Sequence, residues 1–138
     1  MAVGGIEPVP HALPGDVDLW RVDLDQYRCS HEAAILSADE RKRAERLRFA
    51  DYRRRFLAAH HALRHVLGRA LKREPGALVF ESGTHGKPRL LDAGGLEFNL
   101  SHSVHQCLIG TSTQQPIGVD VEVLHPVVDA AALARRHF

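Results

Sequence analysis

The sequence predicts an α+β fold, an antiparallel sheet with helices packed against it, on three observations. Two neighbouring segments place apolar residues at helical spacing, several later segments alternate with a period of two, and turn-rich stretches separate the latter. Helices and strands gathered in runs, rather than in strict alternation, favour an antiparallel over a parallel sheet.

Residues 1–15 carry Gly4, Gly5, Pro8, Pro10, Pro14 and Gly15 and read as a flexible lead-in. Asp16 to Leu24 alternates at first, with Val17 and Leu19 on one side, and is a strand candidate. Ser37 followed by Glu40 is a capping box, so a helix from about Ala38 to Arg48 is expected. A second helix is expected from Asp51 to Lys72, where Phe56, Leu57, His60, Leu63, Leu67, Ala70 and Leu71 form one buried stripe, closed by Pro75 and Gly76. Extended runs follow at Leu78–Glu81, Leu96–Leu100, Gln106–Thr113 and Ile117–Leu124, parted by turn residues. Asp129 to Phe138 reads as the first turns of a further helix with no Gly or Pro stop signal, so a longer chain is expected. The organisation is a lead-in over 1–15, a body over 16–126 and the start of a connecting helix over 127–138.

Composition narrows the class. The 138 residues are 44% hydrophobic and 25% charged with a net charge of +1, ordinary for one soluble domain and without a global field toward nucleic acid or membrane. Charge is uneven, however. Arg41, Lys42, Arg43, Arg46, Arg48, Arg53, Arg54 and Arg55 face only Glu45 and Asp51 in that stretch, which suits either an anionic ligand or a solvated helix face. These arginines lack interleaved aromatics for stacking on bases, so no nucleic-acid partner is expected. Cys29 and Cys107 have no metal-ligand spacing and fit reduced thiols, and no apolar run reaches membrane-spanning length, so a cytoplasmic protein is expected. His61 and His65 stand one helical turn apart and could hold zinc, but no acid or cysteine completes a set, and the pair is expected on the partly exposed side of its helix.

Three short segments can carry chemistry. In Ile117–Leu124, the run IGVDVEVL, an extended chain turns Ile117, Val119, Val121 and Val123 one way and Gly118, Asp120, Glu122 and Leu124 the other. Asp120 and Glu122 then stand about 7 Å apart on one face. A hard divalent cation would relieve their repulsion, although a polar strand face exposed to water has the same pattern. In Phe98–Ser103, FNLSHS, small donors cluster around His102; they could hold a phosphate or a sugar hydroxyl, or form a serine-capped turn. In Thr84–Pro88, THGKP, Lys87 offers a point charge beside a stiff Pro88, which also describes a basic hairpin turn.

Taken in order, GKP, FNLSHS and PIGVDVE resemble the signature series of the Sfp-type 4′-phosphopantetheinyl transferases. Lys87 to Leu100 spans 13 positions and His102 to Asp120 spans 18, both suited to that family. The upstream segments LSADERKRAERLRF and RRRFLAAHHALRHVLG match too, so the resemblance runs from about Val17 to Phe138. It implies one half of a pseudo-twofold fold, with the site in a cleft against an absent C-terminal subdomain. It implies magnesium as cofactor on Asp120 and Glu122, coenzyme A as substrate contacted by Arg43, Arg55, Lys87, Pro88, Ser101 and His102, and a 3′-phosphate near His102 and Arg55. Glu40 stands where relatives often carry Lys, which removes one phosphate contact.

The activity implied is transfer of phosphopantetheine from coenzyme A to a serine of an apo acyl or peptidyl carrier protein, in secondary metabolism. The family's W-x-x-K-E-A motif, with its third metal acid and catalytic base, does not occur in this sequence; Trp20 is the sole tryptophan, and the base is expected beyond Phe138. Three readings follow: a piece of a longer transferase, a half-domain that self-associates, or a non-catalytic coenzyme A or nucleotide binder.

Overall fold

The computed structural model describes residues 4–13, 15–27, 35–82 and 87–124. The connecting helix expected over 127–138, Cys29, and Thr84 to Gly86 of the GKP turn lie outside the described residues.

Among the described residues, six strands and two α-helices form the predicted α+β arrangement. Strands β1 (Ile6–Pro8), β2 (Asp18–Asp23), β5 (Glu97–Ser103) and β6 (Gln106–Ser112) make one antiparallel sheet in the order β1-β2-β6-β5. Strands β3 (Phe80–Ser82) and β4 (Pro88–Leu90) form a separate hairpin. Helices α1 (Ala38–Glu45) and α2 (Ala50–Leu71) stand between β2 and β3 in the chain. Two short strands escape the sequence pattern. β1 lies within the stretch read as a flexible lead-in, where Ile6 pairs with Val22; three residues are too few to show a period, and Pro8 at the outer edge requires no ladder donor. β4 is likewise too short to read, although Leu90 is buried.

Register decides what each sheet face carries. Trp20, Ile109 and Leu100 lie in one row, and Val22, Cys107 and His102 in the next. This face packs on α2, and Val22, Phe98, Cys107 and Ile109 join Ala59, Ala62 and Leu67 in one core. The opposite face carries Leu19, Gly110 and Asn99 in a row, followed by Arg21, Leu108 and Ser101. Cys107 is free and fully buried, and burial pushes its thiol up to about 12, which leaves it a small apolar core residue.

The capping box forms as expected, with the Glu40 amide donating to Ser37 Oγ at 3.1 Å and the Ser37 amide donating to Glu40 Oε1 at 2.8 Å. Helix α2 ends on Lys72 in the left-handed region, φ 55°. Gly68 is required four residues earlier, because a Cβ there would stand 2.7 Å from the Arg73 carbonyl oxygen that folds back over the helix end.

Candidate functional site

The segment 117–124 is extended, with alternating exposure, but it is not a strand of the sheet. Ile117, Val119, Val121 and Val123 are half-buried, while Gly118, Asp120, Glu122 and Leu124 are exposed. Side chains of β5 hold it in place of a backbone ladder. The amide of Val119 donates to Asn99 Oδ1 at 2.8 Å, that of Val121 to Ser101 Oγ at 3.2 Å, and that of Val123 to Ser103 Oγ at 3.1 Å. Asn99, Ser101 and Ser103 share the sheet face away from α2, since alternate residues of a strand project together. Val119 and Ile117 close over Gly110 on that face, where an added Cβ would lie 2.7 Å from Val119 Cγ1 and 3.0 Å from Ile117 Cδ1.

The two acids are thereby presented outward from a fixed backbone. Ser101 Oγ donates to Asp120 Oδ1 at 3.2 Å, and nothing stands within 4 Å of a Cβ added at Gly118 beside them. Among the described residues no group of three or more His, Cys, Asp or Glu side chains gathers, so the donor set here is the pair alone. Two accessible carboxylates on an open surface are hard oxygen donors, of the kind that would hold a magnesium ion.

The other predicted contacts lie elsewhere. His102 follows Ser101 but projects to the α2 face, exposed near the end of β5. Desolvation first, and then the neighbouring His60, hold its pKa below the ordinary histidine value. A cavity of about 400 Å³ opens beside α1 and α2, lined by Arg43, His60, Arg64, Phe80 and Pro88 among others. Arg43 and Pro88 therefore meet in one cavity, with the Arg43 guanidinium 5.6 Å from the Phe56 ring centre. Lys87 and Pro88 border a second cavity of about 630 Å³ that runs along β4 to Glu97 and Phe98.

Arg55 is held by an acid. Its Nε donates to Asp25 Oδ1 at 3.0 Å and its Nη2 to Asp25 Oδ2 at 3.1 Å, while Arg54 Nη1 reaches the same carboxylate at 2.9 Å. The Arg55 hydrogen bond above all, opposed by desolvation and joined by Arg54, lowers the Asp25 pKa from 3.8 to about 2. The preceding residue, Leu24, bonds the His105 carbonyl at 2.7 Å, which places this ion cluster at the β5–β6 turn end of the sheet, the end that carries His102. Of the other arginines, Arg53 donates to the carbonyls of Leu47 and Arg48, which ties the α1–α2 connection.

Three features were missed in the sequence. Glu40 is an interior acid of the fold, bonded to His60 Nδ1 at 3.0 Å and to Arg64 Nε at 2.8 Å. His61, expected on a partly exposed side, is fully buried with its Nδ1 2.5 Å from the Tyr27 hydroxyl. Asn99 and Ser103 hold the acid-bearing segment, and the alternation N-x-S-x-S was the signal for them.

Comparison with known proteins follows this geometry. No protein-family model matches the chain. It is 44% identical over 131 residues to the 4′-phosphopantetheinyl transferase HetI of Nostoc sp., which covers 91% of this chain and 55% of that protein. It is 32% identical to the 4′-phosphopantetheinyl transferase psf-1 of Bacillus pumilus, over 75% of this chain and 43% of that protein. To the 4′-phosphopantetheinyl transferase Sfp of Bacillus subtilis it is 28% identical, over 83% of this chain and 50% of that protein. The chain thus spans about half the length of the curated relatives it matches. These matches, together with the ordered motifs at Lys87, Ser101–His102 and Asp120–Glu122, place the chain in the Sfp-type 4′-phosphopantetheinyl transferase superfamily.

Proposed function

We propose that this chain forms the coenzyme-A-holding part of a 4′-phosphopantetheinyl transferase, and that phosphopantetheine passes from coenzyme A to a serine of an apo acyl or peptidyl carrier protein. The observation that carries this reading is the outward presentation of Asp120 and Glu122 on a segment pinned to β5, with Ser101 on Asp120. Magnesium bound there would act as a Lewis acid and template on the pyrophosphate. Arg43, Arg55, Lys87, Pro88, Ser101 and His102 are assigned to coenzyme A, with Arg55 and His102 near the 3′-phosphate. The carrier serine attacks the β-phosphate, and 3′,5′-ADP leaves. The group that takes the serine proton belongs to the length of the relatives that this chain does not match.

Two measurements test the reading. Titration calorimetry of the chain with coenzyme A is expected to show magnesium-dependent binding. Intact-mass analysis of an apo carrier protein, incubated with the chain, coenzyme A and magnesium, reads turnover. Binding without mass gain makes the chain a non-catalytic coenzyme A module on its own, and no binding in either condition overturns the assignment.

No helix among the described residues is long and apolar enough to cross a membrane. A cytoplasmic setting, a role in secondary metabolism and the lack of a nucleic-acid partner remain part of this proposal. So does self-association, supported by β5 as an outer strand of its sheet and by Leu124, 93% exposed. Sedimentation of the chain at increasing concentration tests it.

A further inference from the structure

We propose that Asn99, Ser101 and Ser103 are positioning residues for a divalent cation at Asp120 and Glu122, acting through the extended segment that they hold. The inference rests on the reading of those two acids as cation ligands.

The three rungs are regular. Each joins a β5 side chain to an amide 20 positions later, and the amides belong to Val119, Val121 and Val123, the residues that alternate with the acids. Fixing every second amide of an extended chain fixes the points from which the side chains between them project. Asp120 and Glu122 therefore start from set positions about 7 Å apart, and binding a cation has little backbone freedom left to remove. Without the rungs the segment has no strand ladder to fall back on, because no strand among the described residues pairs with it.

Ser101 does more than its neighbours. A hydroxyl has one hydrogen to donate and two lone pairs to accept with. Here it accepts from the Val121 amide and donates to Asp120 Oδ1. That bond orients the carboxylate and leaves Asp120 Oδ2 for a cation. The pattern in FNLSHS then has a physical reason: Asn99, Ser101 and Ser103 serve the acid-bearing segment on one face, while the intervening His102 projects to the other.

The test uses the chain itself, Mn²⁺ as the probe ion followed by electron paramagnetic resonance, and amide hydrogen exchange followed by NMR. Ser101→Ala is expected to speed exchange at Val121 and to weaken Mn²⁺ binding about tenfold, the usual effect of removing a partner that orients a metal ligand. Ser101→Thr, which keeps the hydroxyl, is expected to restore both. Asn99→Ala is expected to speed exchange at Val119 with a smaller loss of Mn²⁺ affinity. Faster exchange with unchanged Mn²⁺ affinity overturns the positioning role, as does unchanged exchange. A loss of coenzyme A affinity in Ser101→Ala with Mn²⁺ affinity unchanged makes Ser101 a ligand contact alone and also overturns it. Absence of Mn²⁺ binding by the unsubstituted chain overturns the cation reading of Asp120 itself, an outcome separable from the others because it needs no variant.

Discussion

Arg64 Nη2 and Glu40 Oε1 meet at 2.6 Å with their side chains only 2% and 6% exposed, joining the middle of α2 to the first turn of α1. Arg64 also gives Nη1 to the carbonyls of Pro75 and Leu78 at 2.9 Å, so the pair ties both helices to the chain that leaves α2. Removing one member of a buried pair leaves the other charged and unanswered, which costs about 3–5 kcal/mol. Glu40→Ala is expected to destabilise the fold by about that amount, and further through loss of the capping box. Urea unfolding checks this. The double change Glu40→Ala with Arg64→Ala is expected to cost clearly less than the two single changes summed, because each single change leaves a stranded partner. Strict additivity would show that the pair is not coupled.

The same carboxylate sets an acid limit. Burial disfavours the charge on Glu40, but hydrogen bonds from His60, Arg64 and the Ser37 amide outweigh it and lower the pKa from 4.5 to about 2. A folded-state pKa below the unfolded value means that the stabilisation is complete above the unfolded value and is lost as pH falls toward the folded one. Asp25, lowered from 3.8 to about 2, acts with the same sign. Stability is therefore expected to fall between about pH 4.5 and pH 2, followed by circular dichroism. In Glu40→Gln that slope is expected to be shallower from a lower starting stability. An unchanged slope would mean that other carboxylates carry the acid transition.

Much of this fold was legible because its signals are local. Ser37 and Glu40 announce α1, and the apolar spacing from Phe56 to Leu71 announces α2, because capping and helical period act within a few residues. Strands β2, β5 and β6 were legible within two or three residues of their ends for the same reason. β1 and β4 were not, since three residues show no period and their pairing depends on partners elsewhere. The buried face of α2 itself was misassigned, since Ala70 is exposed and the core takes Ala58, Ala59, Ala62 and Val66 beside Leu63 and Leu67. The alternation of 117–124 correctly gave which residues face outward, but not that side chains replace the ladder, because local pattern reports a face and not a bonding partner. His61 was misplaced because a buried polar group is allowed only by a partner, Tyr27, that lies 34 positions away. Glu40 was read as a lost phosphate contact for the same reason. Its partner Arg64 lies 24 positions on, and nothing in the first helix reveals it.

The proposed contact of Arg55 with the 3′-phosphate makes a prediction that two ligands separate. Two of its nitrogens face Asp25, yet a guanidinium carries five N–H donors, so Nη1 and the remaining Nη2 hydrogen stay available to a second anion. Hydrogen bonds to charged groups contribute about 1.5–3 kcal/mol. Arg55→Ala is therefore expected to weaken coenzyme A binding roughly tenfold or more and to leave dephospho-coenzyme A nearly unchanged, read by calorimetry. Asp25→Asn removes a negative charge beside the same guanidinium and is expected to strengthen coenzyme A selectively. Equal losses for both ligands in Arg55→Ala would remove Arg55 from the 3′-phosphate.

Gly110 offers the sharpest test of the acid-bearing segment without touching any polar group. A Cβ at this position would lie 2.7 Å from Val119 Cγ1, 3.0 Å from Ile117 Cδ1 and 3.2 Å from Leu19 Cδ2, distances that force something to move. The sheet is fixed on both sides of Gly110 by its pairing with Leu19 and Asn99, so the element that yields is the segment held by side-chain rungs alone. Gly110→Ala is expected to speed amide exchange at Val119, stretch the bond to Asn99, and weaken Mn²⁺ binding at Asp120, with a stability loss of about 1–3 kcal/mol from overpacking. Adding Val119→Ala removes the Cγ1 nearest the new methyl, so the double variant is expected to recover much of the Mn²⁺ affinity lost in the single one. Recovery in the double variant would show that the methyl acts through the position of residue 119. A Gly110→Ala chain that binds Mn²⁺ as tightly as the unsubstituted chain would instead show that the acids find their ion without help from the sheet beneath them.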